Sequence, residues 1–490
     1  MNACSHAPFI RRVLSAIALV NLLRAFDQSP EGCVTNPQER VASNRTNGPQ
    51  ACFLSDKNPR TQNMTIWVEE YGCSSSIGDS ETIRGLLRSA GYKLGKSEID
   101  SSLNIIVTCS VKDTTEHKML YRINQLNNTG KPLVIAGCLP KANEYFVANK
   151  FPRASLLGPL TLNETVDVVK KTYAGQRTIA LQDSGTNKIL LPKLRLNPVI
   201  GVIEIATGCV SLCTFCQTKL AKGQLKSHRV GDITRRLKED VQEGCKEIWL
   251  SSTDNGCYGR DIGSDLVDLL ESCVAIRGDY KIRIGMMNPL FLPTLIKRLT
   301  RILSDDNNLF KFLHIPLQSG SDSILRKMKR GHSSKIYVHS VKELRGRIPE
   351  LALATDVIVG FPSETDEDFD RTLEVVMETE PDVINISKYS TRPGTKAAKF
   401  KKLSSEIIKE RTKKIHCLSN EIGLKRNSRW LSWEGEIVVD SRNLSELQGR
   451  NYAYKPIHVR CNDNEPVQLG DKLPVRIEGI TSHVLRGRII

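Results

Sequence analysis

The sequence predicts an α/β protein of three folded parts: a βαβ parallel-sheet domain, a central partial (βα)6 barrel and a small C-terminal all-β barrel. Three observations predict it. β-Branched or aromatic runs at Thr65–Val68, Asn104–Val107 and Pro132–Ile135 each lead to a cysteine and then a segment with helical spacing, such as Ile83, Leu86, Leu87 and Ala90. Six later apolar runs, beginning near Val199, Glu247, Lys281, Lys311, Ala352 and Val383, alternate with helical segments such as Ile233, Leu237, Val241 and Phe369, Leu373, Val376. From about Trp430 the pattern becomes short strands without helical spacing: Gly435–Asp440, Pro456–Arg460 and Lys472–Glu478.

In chain order, residues 1–62 read as a disordered or targeting extension. Residues 1–26 contain Arg11, Arg12 and Arg24, no acidic residue, and an apolar stretch from Val13 to Leu23. That stretch fits a signal-peptide h-region or an amphipathic organellar presequence, and is too short to span a bilayer in the ordinary way. Asp27 to Gln62 is polar, with Pro30, Pro37, Pro49 and Pro59, and reads as a disordered linker. The parallel-sheet domain takes residues 63–175, a linker 176–198, the barrel 199–429 and the β module 430–490. Ser482 to Ile490 are too few and too basic for a hydrophobic anchor.

Cys73, Cys109 and Cys138 are far apart in sequence, but each follows a strand. In βαβ units the strand C-terminal ends open onto one edge, so the three thiols share one rim. The competing reading, three ordinary core cysteines, gives no reason for them to recur at the same point of successive units. The second triplet, Cys209, Cys213 and Cys216, is local. It follows the run Val199–Ala206, and Gly208 lets the backbone turn tightly enough for three thiolates to face one object. Three sulfurs leave one position on a bound metal open. A structural zinc site is closed by four ligands, and no fourth Cys or His completes a local set here.

The spacing Cys209-x-x-x-Cys213-x-x-Cys216 resembles that of radical S-adenosylmethionine enzymes, and the upstream triplet resembles the auxiliary-cluster domain of the methylthiotransferases. The stretches Glu247-Ile-Trp-Leu-Ser-Ser-Thr-Asp, Tyr258-Gly-Arg-Asp-Ile-Gly, Arg283-Ile-Gly-Met-Met-Asn-Pro, His314-Ile-Pro-Leu-Gln-Ser-Gly-Ser-Asp, Gly360-Phe-Pro-Ser-Glu-Thr-Asp and Arg392-Pro-Gly-Thr resemble the branch of that family that modifies N6-threonylcarbamoyladenosine in tRNA. The resemblance runs from about Thr65 to the C-terminus. It implies a transferase that makes the 2-methylthio derivative at tRNA position 37, with two [4Fe-4S] clusters and S-adenosylmethionine as methyl donor and radical source. The cluster on Cys209, Cys213 and Cys216 would cleave the cofactor to a 5′-deoxyadenosyl radical. The cluster on Cys73, Cys109 and Cys138 would carry the sulfur, methylated by a second S-adenosylmethionine before transfer to carbon 2. The implied partners are tRNA and an electron donor for cluster reduction, acting on a monomer, and the β module would be the RNA-binding barrel called TRAM. A stabilising β cap is the alternative for that module.

Further site residues follow from the same resemblance. Ser251 and Ser252 end the second barrel strand, where the superfamily contacts the methionine amino group through backbone, although the usual form is richer in glycine. His314 and Gln318 end the fourth strand on the active face; a buried histidine satisfied by hydrogen bonds is the alternative for the first. Gly360, with Phe361 and Pro362, would pass backbone close to adenine, while Ser363 through Asp366 equally reads as a helix capping box. Lys222-Gly223 stands where many relatives have Arg-Gly, which keeps the charge and loses a bidentate contact. Arg260 is retained.

The chain has 490 residues, enough for two to four domains, with 70 basic and 54 acidic side chains and a net charge of +16. That balance suits a polyanionic partner. Lys396 to Arg429 holds eleven Lys or Arg against three Glu, about half the excess, and reads as an RNA-facing helix or a solvated helix face. Fourteen cysteines are too few at this length for a disulfide scaffold, so a reducing compartment is expected. Cys4, Cys33, Cys52, Cys245, Cys257, Cys273, Cys417 and Cys461 lack ligand spacing and receive no role. The catalytic body is expected in the cytoplasm, with endoplasmic reticulum or organelle association through the N-terminal apolar segment as the alternative. Two other functions stay open: a methylthiotransferase for isopentenyladenosine tRNA, and a non-catalytic RNA-binding iron–sulfur protein.

Overall fold

A computed structural model describes residues 64–110, 113–443, 445–461 and 466–490. The expectations for residues 1–62 lie outside them. Among the described residues no helix is long and apolar enough to cross a membrane, and no disulfide joins the cysteines.

The first part is a six-stranded parallel sheet. Its strands are β1 (Thr65–Glu70), β2 (Lys93–Leu94), β3 (Leu103–Thr108), β4 (Leu133–Gly137), β5 (Ser155–Leu157) and β6 (Ile179–Ala180), in the order β2-β1-β3-β4-β5-β6. Helices α1 (Ser74–Ser89), α2 (Asp113–Asn128), α3 (Cys138–Ala142), α4 (Glu144–Lys150) and α5 (Thr165–Tyr173) connect them. Central β3 and β4 are buried at every residue, as expected for parallel strands covered on both faces. Ile83 and Leu87 of α1 pack on one face of the sheet, and Ile123 and Leu126 of α2 on the other.

The six expected barrel strands are present: β7 (Ile200–Glu204), β10 (Glu247–Ser251), β11 (Lys281–Ile284), β12 (Phe312–His314), β13 (Ala352–Val359) and β14 (Val383–Lys388). They form two parallel three-stranded sheets, β11-β10-β7 and β12-β13-β14, linked by a bridge between Ile282 and Leu309. A short hairpin, β8 (Ala206–Thr207) with β9 (Lys226–Ser227), brackets the local cysteine loop and α6 (Thr218–Lys222). The outer layer comprises α7 (Val230–Gln242), α8 (Leu266–Val274), α9 (Leu292–Asp305), α10 (Asp322–Met328), α11 (Ser334–Arg347), α12 (Asp366–Thr379) and α13 (Ser405–Ser428). A capping box does precede α12, but it forms between Thr365 and Asp368, two residues beyond the expected Ser363–Asp366, because Ser363 takes a left-handed backbone at φ +63° and Thr365 is the extended residue at the helix start.

The C-terminal part is a closed five-stranded barrel of β15 (Glu434–Arg442), β16 (Glu446–Arg450), β17 (Pro456–Arg460), β18 (Lys472–Ile480) and β19 (Leu485–Ile489). It seals the N-terminal ends of the central strands, opposite the cysteine loop. Tyr454 inserts 4.9 Å from the rings of both Phe310 and Phe312, and the guanidiniums of Arg450 and Arg283 stack on it at 4.7 and 5.5 Å. Beside it the buried Asp382, just before β14, collects Arg345 at 3.1 Å, Arg429 at 3.0 Å, Arg426 at 3.4 Å and Lys455 at 3.9 Å. Burial opposes ionisation of Asp382, but these cations outweigh it and hold the carboxyl below its ordinary value.

The basic segment is only partly available to RNA. Within it Arg411 is buried against Glu364 and Asp366, Lys414 pairs with Glu410, Lys425 with Glu380, and Arg426 and Arg429 with Asp382. The other six cations, Lys396, Lys399, Lys401, Lys402, Lys409 and Lys413, make no ion pair among the described residues.

Candidate active site between two cysteine triplets

The strand order places β1, β3 and β4 side by side, so Cys73, Cys109 and Cys138 emerge next to one another at the C-terminal edge. Gly72 makes the approach possible. Its φ is +123°, and a Cβ there would lie 2.3 Å from Cys109 Cβ. The thiol of Cys109 hydrogen-bonds Cys73 and lowers the Cys73 pKa, helped by the charge of Lys222; Cys138, enclosed by protein, is pushed up to about 12.

Lys222 belongs to the central part and reaches this triplet because α6 packs on α3. Its buried ammonium bonds Glu204 at 2.5 Å. Glu204 also pairs with Lys188, and Lys188 with Asp79 of α1 at 2.9 Å. Burial would lower Lys222, but Glu204 and the Cys138 thiol outweigh it and hold the pKa well above the ordinary value. The charge kept at the departure from Arg is therefore used between the two parts. Ser251 Oγ adds a neutral tie, 2.9 Å from Ser74 Oγ and 3.1 Å from Ser75 Oγ, immediately after Cys73.

The local triplet hangs between β8 and α6. Gly208 has φ +67°, and a Cβ there would fall 1.9 Å from the carbonyl oxygen of Gln224. Cys209 Sγ accepts from the Ser211 amide at 3.3 Å, and Cys213 Sγ accepts from Arg330 Nη1 at 3.3 Å. Burial, then the neighbouring Cys213 and Cys209, raise Cys216 above an ordinary thiol. Thr214 anchors the loop on the end of α10, its amide to Met328 O at 3.0 Å and its hydroxyl to Lys327 O at 2.9 Å. Phe215 packs edge-on against Phe361, 6.4 Å between ring centres. Cys216 lies two residues before α6 and Lys222 ends it, so α6 bridges the two triplets.

The other expected residues fall at the strand ends as placed, with different degrees of commitment. Ser251 O accepts from the Ile205 amide, and Ser252 Oγ bonds Asn255 Oδ1 at 2.5 Å. His314 Nε2 lies 3.0 Å from Asp356 Oδ1, which also accepts from Asn385 Nδ2 at 2.9 Å. Gln318, at φ +67°, is fixed by backbone bonds to Asp356 and Ile358, while its buried side-chain oxygen has no partner. Gly360 gives its amide to Glu364 at 3.0 Å and packs against Ile408, where a Cβ would come within 2.5 Å. Arg260 stacks on Phe291 at 4.9 Å.

Sequence reasoning gave no role to Arg330 or Asp254. Arg330 is 5 % exposed, and its Nε and Nη2 have no partner. Asp254 faces Cys209 Sγ at 3.8 Å and is pushed up to about 7 by burial and the Cys209 sulfur. Three convergent thiols and a buried guanidinium with two idle donors fit a metal cluster that also binds a small anion-bearing ligand.

A partial βα barrel with a three-cysteine loop at its first strand end defines the radical S-adenosylmethionine class. The model of the Radical SAM superfamily matches residues 203–376, and that of the "Uncharacterized protein family UPF0004" matches residues 65–158. The chain is 37% identical over 379 residues to a probable threonylcarbamoyladenosine tRNA methylthiotransferase of Pyrococcus abyssi, covering 77% of this chain and 88% of that one. It is 37% identical over 431 residues to the threonylcarbamoyladenosine tRNA methylthiotransferase of Mus musculus, covering 86% and 74%. A solved radical S-adenosylmethionine methyltransferase, TsrM from Kitasatospora setae, shares the fold with a TM-score of 0.50 at 11% identity, over 68% of this chain and 77% of that one. The chain belongs to the threonylcarbamoyladenosine tRNA methylthiotransferase family.

Proposed function

We propose that this protein converts N6-threonylcarbamoyladenosine at tRNA position 37 to its 2-methylthio derivative. The observation that carries the reading is the apposition of two cysteine triplets across α6. Bound iron–sulfur clusters and S-adenosylmethionine supply the electron transfer and radical chemistry that replacing a C–H bond by C–S requires and side chains cannot provide.

The protein's part is to hold and aim. Cys209, Cys213 and Cys216 would hold one [4Fe-4S] cluster with one coordination position open for cofactor, and Cys73, Cys109 and Cys138 the second. Arg330 Nε and Nη2 would meet the cofactor carboxylate with charge-assisted bonds. The row His314, Asp356 and Asn385, with the free amide oxygen of Gln318, offers polar atoms to ribose and adenine at the strand C-terminal ends. The hydroxyls of Ser251 and Ser252 are spent within the protein, which leaves these residues a backbone role, and Gly360 would act by keeping the β13 exit close to α13. Lys222 would place a fixed positive charge beside the auxiliary triplet.

The tRNA would meet the unpaired lysines between Lys396 and Lys413 and the exposed Val210, Leu212, Leu220 and Leu290. The terminal barrel's role as a seal on the far end supports the stabilising reading for its inner face and leaves its outer strands for RNA. We assign the catalytic body to the cytoplasm as a monomer served by a separate electron donor. The test is anaerobic turnover of tRNA bearing threonylcarbamoyladenosine or isopentenyladenosine, with nucleosides read by mass spectrometry. The 2-methylthio product is expected from the first only; product from the second only would assign the sister activity, and none from either would overturn the reading.

A further inference from the structure

Asp254 and Cys257 follow β10 and turn inward to meet Cys209. The two sulfurs and a carboxylate oxygen all lie within 4.8 Å of one another, and all three residues are buried. The carboxylate is oriented as metal ligands are: Asp254 Oδ1 accepts from the Gly256 amide at 3.1 Å and the Asn288 amide at 3.0 Å, which leaves Oδ2 facing Cys209 Sγ at 3.8 Å. Cys257 Sγ is held 3.1 Å from the backbone oxygen of the same aspartate. Tetrahedral zinc with bonds of about 2.3 Å to sulfur and about 2.0 Å to oxygen sets sulfur and oxygen about 3.5 Å apart, close to the 3.8 Å between Cys209 Sγ and Asp254 Oδ2. Two thiols and a carboxyl crowded in the interior are costly to ionise together, and a divalent cation removes that cost.

We propose that Cys209, Asp254 and Cys257 form a zinc(II) site, with water as fourth ligand, that shares the Cys209 thiolate with the local triplet. Binding releases to solvent the protons held by the two thiols and the Asp254 carboxyl and involves no redox change. The thiolate pair favours zinc over ferrous iron. With Cys209 drawn to zinc, Cys213 and Cys216 leave a cluster one protein thiolate short, so zinc bound here and a cluster on Cys209, Cys213 and Cys216 exclude each other. The zinc site stands on its three residues alone; the exclusion rests on the cluster reading above.

The test uses the full-length chain carrying Cys73→Ala, Cys138→Ala, Cys213→Ala and Cys216→Ala, which disables both triplets, titrated anaerobically with Co2+ and then Zn2+. One Co2+ per chain with a thiolate charge-transfer band, displaced by one equivalent of Zn2+, is expected. Adding Cys257→Ala should weaken binding at least about 100-fold and diminish the band, while Asp254→Asn, which keeps the acceptor for both amides, should weaken it about 10- to 100-fold with the band retained. No stoichiometric binding by a chain that retains its native circular dichroism, or affinity unchanged by Cys257→Ala, would overturn the site. A second measurement covers failure of the quadruple variant to fold. In the otherwise unaltered apo chain, zinc added before reconstitution should lower iron uptake, and Cys257→Ala should relieve the block. An equal block in both would contradict the proposal.

Discussion

Arg330 offers a prediction with opposite signs for binding and for stability. Its guanidinium is buried, spends Nη1 on Cys213 Sγ at 3.3 Å, and leaves Nε and Nη2 idle. Each buried donor without a partner costs about 1–3 kcal/mol, and a bond to a charged partner returns about 1.5–3 kcal/mol. Arg330→Met keeps most of the stem's volume and removes the charge. Losing one such bond to the S-adenosylmethionine carboxylate should raise the dissociation constant about 10- to 150-fold. The apo protein should melt no lower than the parent, because the variant also removes the unsatisfied donors. Equilibrium dialysis of the reconstituted protein gives the first quantity and thermal unfolding of the apo chain the second. Iron content should be unchanged, and Arg330→Lys, with one point donor in place of a fork, should fall between. An affinity within threefold of the parent, or an apo chain destabilised by several degrees, would refute this reasoning and make Arg330 a structural residue.

Three further outcomes are expected. Asp382→Ala leaves Arg345, Arg426, Arg429 and Lys455 without their shared carboxylate and should cost about 3–5 kcal/mol by denaturant unfolding; because the folded carboxyl is held low, the parent should lose this contribution only as pH falls through and below the ordinary carboxylate range of about 4. Burial pushes Glu81 from 4.5 up to about 7, so the folded state holds a proton the unfolded state has lost, and stability should fall as pH rises between those values; Glu81→Gln should gain on the order of 3 kcal/mol above pH 7 and little at pH 5. Gly208→Ala forces an αL backbone and a 1.9 Å clash on the cysteine loop, and after reconstitution should lose about half the iron, judged by elemental analysis, with the parallel-sheet domain's circular dichroism intact.

What could be read from the sequence was what local pattern encodes. The strands before Cys73, Cys109 and Cys138, the six barrel strands and the glycine at Gly208 each announce themselves through side-chain period or backbone need. The two-residue β2 and β6 do not, being too short to show a period, nor do β16 and β19, whose glycine and charged residues blur the alternation. Distance along the chain hid the site's electrostatics. Arg330 reaches Cys213 across 117 residues, and Lys222 faces the auxiliary triplet only after α6 packs on α3. The basic run ending at Arg429 misled in part for that reason: five of its cations are drawn into internal pairs with acids from α12, α13 and the turn before β14. Cys257 has no ligand spacing with Cys209, and only the fold brings the two thiols together.

The division of labour between the triplets is the central claim, and one measurement separates its halves. Cys73→Ala and Cys209→Ala proteins, reconstituted anaerobically, are given S-adenosylmethionine, reductant and tRNA bearing threonylcarbamoyladenosine, and both 5′-deoxyadenosine and the modified nucleoside are quantified. Cys73→Ala should still cleave the cofactor and yield no 2-methylthio product, while Cys209→Ala should do neither. Full product from Cys73→Ala, or cofactor cleavage surviving in Cys209→Ala, would contradict the account.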